Sequence, residues 1–446
     1  MEINDTIKVD IESYDVNGYG VTHIDKKVVF VIGAMVSETV IVKIIDIKKK
    51  FIFAETIKIL KKSENRIDSL CPYSSFCGGC DLLYMNYNEE AKIKEDKVKM
   101  TLRNFKNINF LPLIKSDSPY GYRNKVMVPF KRDIEDDVIY GFYSKKTHEI
   151  IPMEKCIISD DTTNEILHLL SRYLNLFHIS IYDEKNHTGI FREAMVRHTK
   201  HGKYMIVLII RKQYDFSSLV DILTKEFSEI ESIYININDL DTNILLGNEY
   251  KLIYGNKTIE EDILGLKFNV SAESFMQVNN TQCEKLYTKA IELANLKSDM
   301  IVIDAYCGMG SITLNIAKHV SKVYGIEIVE KAIENANTNK TLNNINNVEF
   351  IAGKCEDEIK KLVNKEKIDV IFFDPPRKGC EKSFLDTVIL MNIPKIVYIS
   401  CNIATCARDI KILEDNGYLI KTAVGVDLFP RTSHVETITL LEKNFR

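Results

Sequence analysis

The chain of 446 residues carries 59 Lys and Arg against 63 Asp and Glu, a formal net charge of −4, with 45% hydrophobic and 27% charged residues. That balance excludes a disordered or fibrous chain and a globally basic coat for nucleic acid, and the length asks for two or three cores rather than one. No run approaches the ~18 consecutive apolar residues of a membrane span, and the polar, acidic start MEINDTIKVD is unlike a secretory leader, so a cytoplasmic protein is expected.

Residues 1 to about 60 hold five short β-rich runs, IKVDIESYD, GYGVTHID, KKVVFVIGA, TVIVKIID and FIFAETIKIL, separated by Gly and charged turns. The rhythm predicts a small closed OB-like barrel, a fold often used to hold single-stranded nucleic acid. Within it, residues 42–62 carry seven lysines against two acids, with two phenylalanines. Such a stripe either contacts phosphates or is a solvated face. A cysteine-rich knot at 71–80 comes next, then a helix through YNEEAKIKEDKVKMTLRNF. From about 120 to 275 strands dominate around a helix near 161–176, which predicts a mixed, largely antiparallel central domain over 61–275. Over 276–446 apolar strands (MIVIDAY, KVYGIEI, NVEFIAG, KIDVIFFDPP, KIVYISCN) alternate with amphipathic helices. This is the pattern of a Rossmann-like α/β domain with a parallel sheet covered on both faces.

Three stretches of that last region carry chemistry. In VIDAYCGMGSITL (302–314), Gly308 and Gly310 let backbone approach a ligand where a strand hands over to a helix. Glu327 ends the next strand, where an acid typically takes the ribose hydroxyls of an adenosine. In VIFFDPPRKG (370–379), Asp374 and two prolines stop a strand at its carboxyl edge, where open α/β sheets bind ligands. A D-P-P stretch also suits methylation of an exocyclic amine, but Arg377 stands where that chemistry wants an aromatic ring.

Cys401 ends the strand VYISC at the same edge, and a thiol just before a helix should have a lowered pKa. Uracil explains why a methyl-transfer site would need it. Carbon 5 of uracil is too electron-poor to attack a sulfonium methyl group. Addition of a thiolate to carbon 6 makes carbon 5 nucleophilic, and a base must later remove the carbon 5 proton. Glu436, at the start of a last strand, is the candidate base.

The stretches FMQVN (275–279), DAYCGMGSITL, FDPPRKG, YISCN..T..RD and HVET stand in order, and together they resemble the RNA (uracil-5-)-methyltransferase family, closest to its ribosomal-RNA branch. The N-terminal barrel resembles the TRAM domain of that branch. The departure is Ile403, where the family usually has proline; no reacting group is lost. The resemblance implies that Gln277, Tyr306, Glu327 and Asp374 hold S-adenosylmethionine, that Cys401 is the nucleophile and Glu436 the base. It further implies a monomeric enzyme acting on RNA, 23S ribosomal RNA before transfer RNA. CPYSSFCGGC gives Cys71, Cys77 and Cys80 as C-x5-C-x2-C, and PMEKC adds Cys156. Four thiolates suit zinc or an iron–sulfur cluster, and the resemblance implies a 4Fe–4S cluster.

Overall fold

The computed structural model describes residues 1–446 other than 146, 242–243 and 445–446. Its first sheet has six strands in the spatial order Thr6–Asp10, Thr39–Ile47, Phe51–Lys61, Lys27–Ile32, Gly20–Ile24, Ser13–Tyr14. The two outermost strands are consecutive in the chain, so the sheet closes into a barrel. The sequence suggests five strands; the sixth arises because IKVDIESYD bends after Asp10, pairing first with Thr39–Ile47 and then with Gly20–Ile24. Val29, Val31, Val40, Val42, Ile44, Ile52 and Ala54 fill the interior.

The central sheet has seven strands, antiparallel except where Tyr204–Ile210 runs parallel to Ile230–Ile237 through the crossover helix Ser217–Glu226. Its inner strands Phe191–His198 and Tyr204–Ile210 are buried on both faces, and their alternation shows it. Ala194, Val196, Ile206 and Leu208 pack under Asp161–Leu176 and Ser217–Glu226, whereas Met195, Met205, Val207 and Ile209 face the C-terminal region. The run KLIYGNKTIEE is not one strand. It divides into Glu249–Gly255 on this sheet and Ile259–Ile263, which forms a separate hairpin with Leu266–Val270, because Gly255 takes a φ of 72° and turns the chain.

The third sheet has eight strands in the order Val348–Ala352, Lys322–Glu327, Ile301–Ala305, Val370–Phe373, Lys395–Ser400, Glu436–Lys443, Tyr418–Val426, Asn109–Phe110. The first five are parallel; Glu436–Lys443 is antiparallel to both neighbours. Alternate residues of each strand again separate: Val302, Val370, Phe372 and Val397 join one core, and Ile303, Ile371, Phe373 and Tyr398 the other. Strand order reverses between Ile301–Ala305 and Val370–Phe373, so the crevice outside their carboxyl ends is where a ligand fits. Residues well before 276 also lie on this sheet. Helix Tyr87–Leu102 packs on Tyr418–Val426, and Asn109–Phe110 is the eighth strand. Among the described residues no helix is long and apolar enough to cross a membrane.

Candidate active site

Tyr306 and Asp374 leave the two strands that flank the reversal, each directly after the last paired residues, Ala305 and Phe373. Tyr306 has a φ of 65°, a conformation costly for a residue with a side chain and kept where surroundings over-determine it. Its ring rests on Phe384, with centroids 5.3 Å apart. One strand away, Glu327 accepts from the Gly308 amide at 3.3 Å and the Val329 amide at 3.0 Å. Each carboxylate oxygen has a lone pair to spare for a hydroxyl. Beneath them Asp304 bonds Thr313 and is pushed up to about 7 by burial.

Gln277 arrives from outside the sheet. Asn124 of the central region donates from its amide to the Val278 carbonyl at 2.8 Å and from its side chain to the Gln277 carbonyl at 3.0 Å and to the Asn280 side-chain oxygen, while its own carbonyl accepts from the His198 amide at 2.8 Å. Asn279 then caps Asn280–Ala294 and donates to the Leu428 carbonyl at 3.2 Å. The FMQVN segment is thereby tied to the loop that leads into Glu436–Lys443.

Cys401 and Glu436 meet across the antiparallel pair. Ser400 is paired with Thr437, so the next step along the two strands sets Cys401 against Glu436. The thiol is half-buried and the carboxyl 2% exposed. Glu436 Oε2 is buried and has no hydrogen-bond partner, a costly state unless something else supplies a donor. Burial pushes Glu436 well above the usual carboxylate range, Asp374 adds to the shift, and Arg377 opposes it. Asp374 itself is pushed up to about 7 by burial.

The expected lowering of the Cys401 pKa is not what the structure gives. Burial raises the thiol to about 11, Glu436 and Asp374 raise it further, and Arg377 acts against them. The following helix is capped by Asn402, whose side chain takes the Ala404 amide at 3.1 Å, so that amide is not free to steady a thiolate.

Arg377 is the residue whose part the sequence leaves unread. Its side chain is exposed and favours the ionised form of both Cys401 and Glu436. Its carbonyl accepts from Asn402 Nδ2 at 3.2 Å and Thr405 Oγ1 at 3.3 Å, lacing the DPPRKG loop to the SCN loop. The available signal was position alone: the first side chain after two prolines at a strand's carboxyl edge faces the crevice.

The four expected ligands Cys71, Cys77, Cys80 and Cys156 gather elsewhere. They line one cavity of about 140 Å³ with Leu83, Phe142 and Met153 among its walls. Burial raises the Cys71, Cys77 and Cys80 thiols, and Cys156 raises each of them further. Among the described residues no group of three or more His, Cys, Asp or Glu side chains is set to hold a metal ion, so the four sulfurs are not a ready-made single-ion site.

A family model described as tRNA (Uracil-5-)-methyltransferase matches residues 86–444. The chain belongs to the tRNA (uracil-5-)-methyltransferase family. Among its relatives is an "uncharacterized RNA methyltransferase" of Clostridium acetobutylicum, 40% identical over 99% of this chain and 97% of its own. One of Caldanaerobacter subterraneus is 40% identical over 99% of both. Among solved structures, a tRNA (uracil-54, C5)-methyltransferase of Pyrococcus abyssi, in complex with S-adenosyl-L-homocysteine, is 25% identical with a TM-score of 0.78, covering 98% of this chain and 100% of that one. The Rossmann-like α/β architecture is thus that of S-adenosylmethionine-dependent RNA methyltransferases. The family match starts at residue 86, beyond the barrel and the first three cysteines.

Proposed function

We infer that this family member methylates carbon 5 of a uridine in RNA through a covalent adduct on Cys401. The observation that carries the reading is the pairing of the Cys401 thiol with the buried, unpartnered carboxyl of Glu436 at the carboxyl edge of the sheet. A simple N-methyltransferase has no use for either group.

Gln277, Tyr306, Glu327 and Asp374 would hold S-adenosylmethionine; the strained Tyr306, the two glycines of the turn and the free lone pairs of Glu327 suit an adenosine with its ribose. When bound, that molecule supplies an electrophilic methyl group. Cys401, as thiolate, forms the sulfur–carbon 6 bond and sends the electron pair of the ring toward oxygen 4. Carbon 5 then becomes the nucleophile and takes the methyl group. Glu436, as carboxylate, removes the carbon 5 proton; the ring double bond re-forms and the sulfur–carbon 6 bond breaks. A carboxyl raised by burial is a stronger base than a solvated one once ionised. Arg377 favours the charged form of both groups, the form in which each reacts.

We take 23S ribosomal RNA as the first target, on the resemblance to the ribosomal branch, with the barrel adding RNA affinity. Transfer RNA is the second, because the Pyrococcus abyssi enzyme, alike over nearly the whole chain, is named for tRNA. The four cysteines would hold a 4Fe–4S cluster. They line a cavity several times the ~30 Å³ share of one water, and cationic iron would relieve the mutual repulsion of thiolates so closely set. Such a cluster would cross-link the 71–80 segment to Cys156.

RNA containing 5-fluorouridine should trap the protein covalently, because fluorine cannot leave as a proton, and Cys401→Ala should bind S-adenosylmethionine yet form no adduct. Absence of an adduct with the unaltered protein on both ribosomal and transfer RNA would overturn the reading. Mapping 5-methyluridine in both RNA classes from a deletion strain then names the target.

A further inference from the structure

The barrel carries rings on its outside that its own interior does not use. On Lys27–Ile32, Val29 and Val31 belong to the core and Phe30 does not; on Phe51–Lys61, Ile52 and Ala54 do and Phe51 and Phe53 do not. These strands run parallel, with Phe30 beside Phe53 and Val28 beside Phe51. Ring centroids lie 5.4 Å apart for Phe30 and Phe53, 5.6 Å for Phe51 and Phe53, and 5.8 Å for Phe30 and Phe51. Tyr19 joins them, 6.5 Å from Phe53. All four are only partly buried, on a face where a small barrel ordinarily presents polar side chains.

The surroundings of this patch are polarised. Because Val28 pairs with Phe51, the turn at 25–27 lies beside the turn at 48–50. Lys26, Lys27, Lys48, Lys49 and Lys50 therefore ring the Phe51 end, against Asp25 and an Asp46 that Lys48 holds at 3.0 Å. The Tyr19 end points to the catalytic strand. Gly18 abuts Leu82, so close that a Cβ there would meet its Cδ2 at 2.9 Å. Asp81, next to it, accepts from the Ser433 amide at 3.1 Å and hydroxyl at 3.0 Å, and Glu436 follows three residues later. Lys97 donates to the Ser433 carbonyl at 2.9 Å.

We propose that the Tyr19–Phe30–Phe51–Phe53 face is a stacking platform for unpaired bases next to the uridine that enters the Cys401 crevice, with the lysines at its far end on their phosphates. This rests on the reading of the chain as an RNA uracil methyltransferase. A uridine drawn out of its stack leaves its neighbours without a partner face. Aromatic side chains replace that face whatever the base, since every base has one, and nearby cations track the backbone.

The test uses the full chain and a short fluorescein-labelled oligouridylate, read by anisotropy over a range of salt. The pair Phe51→Leu and Phe53→Leu keeps apolar bulk and removes the π faces; it should raise Kd about tenfold at every salt concentration. Its salt slope should stay that of the unaltered protein, because no charge is lost. Phe51→Tyr with Phe53→Tyr should keep the original Kd, and Lys49→Gln with Lys50→Gln should flatten the slope. Unchanged binding by the leucine pair overturns the proposal, as does no binding of the oligouridylate by the unaltered protein. An equal loss in the tyrosine pair overturns it too, for the rings would then serve only to pack the barrel. Adduct formation on 5-fluorouridine RNA is scored separately, so failure of the uracil chemistry and failure of the platform are told apart.

Discussion

Cys401 should be a slow thiol until substrate arrives. Burial, Glu436 and Asp374 together raise its ionisation from 9.0 to about 11, with Arg377 opposing. At pH 8 about one such thiol in a thousand is ionised, against about one in ten at the ordinary value, and only the thiolate reacts. Iodoacetamide should therefore alkylate Cys401 in the free protein about a hundredfold more slowly than an unperturbed thiol. The rate should rise about tenfold per pH unit from pH 7 to 10 without levelling, because the ionisation lies above that window. Removing the opposing charge in Arg377→Ala should slow the reaction further, and Asp374→Asn should speed it. Peptide mass spectrometry after timed quenching resolves Cys401 from the other cysteines. A rate that levels off below pH 9, or a faster Arg377→Ala, would refute the electrostatic account. If the account holds, activation of the nucleophile belongs to the assembled complex, which spares the free protein from adventitious alkylation and oxidation.

Glu436→Gln keeps shape and removes basicity, so it should form the methylated adduct with ordinary uridine and release it about 10²–10⁴-fold more slowly, giving a band stable to denaturing electrophoresis; turnover at the unaltered rate would rule the role out. Protein purified without oxygen should be brown with about four irons per chain, and Cys156→Ser should lose them; stoichiometric zinc in a colourless preparation would count against the cluster. Lys94 lies fully buried between Glu90 and Asp427, 2.7 Å from each. Lys94→Met should cost about 3–5 kcal/mol in urea unfolding at pH 7. The deficit should shrink as pH falls, because Glu90, already raised by burial, loses the nearer of its two cations and so binds a proton more readily folded than unfolded; an undiminished deficit at pH 5 would speak for lost packing instead.

Much of the site was legible because its residues sit where strands end. Continuous apolar runs closed by Asp374, Cys401 or Glu327 announce both the strand and its carboxyl edge, and a parallel sheet converts shared edges into shared space. The C-x5-C-x2-C spacing marked Cys71, Cys77 and Cys80 as neighbours; Cys156, which lines the same cavity, was added only by the resemblance. What escaped was set by distance in sequence. Nothing local to YNEEAKIKEDKVKMTL says that Lys94 will be buried against Asp427, and a two-residue strand such as Asn109–Phe110 has no period to read. The direction of the Cys401 shift escaped for the same reason. The helix after it was visible, but the carboxyls facing it come from residues 27 positions before and 35 after. Arg377 was read as a missing aromatic rather than as a cation.

The tie between the 81–115 segment and the C-terminal sheet bears on how such proteins can be recombined. Asp81 holds Ser433, Lys94 and Tyr87 hold Asp427, the Arg431 guanidinium donates to the Met85 carbonyl at 3.1 Å, and Asn109–Phe110 closes the sheet edge. A chimera cut at the start of FMQVN would strand a buried carboxylate and an open β-edge, whichever relative supplied the other half. The exchangeable module is discontinuous: residues 81–115 travel with 276–446, and the sheet between them is an insertion. Crossovers that respect this should yield folded hybrids in which RNA preference follows the barrel and inserted sheet, while the chemistry follows the two outer pieces together.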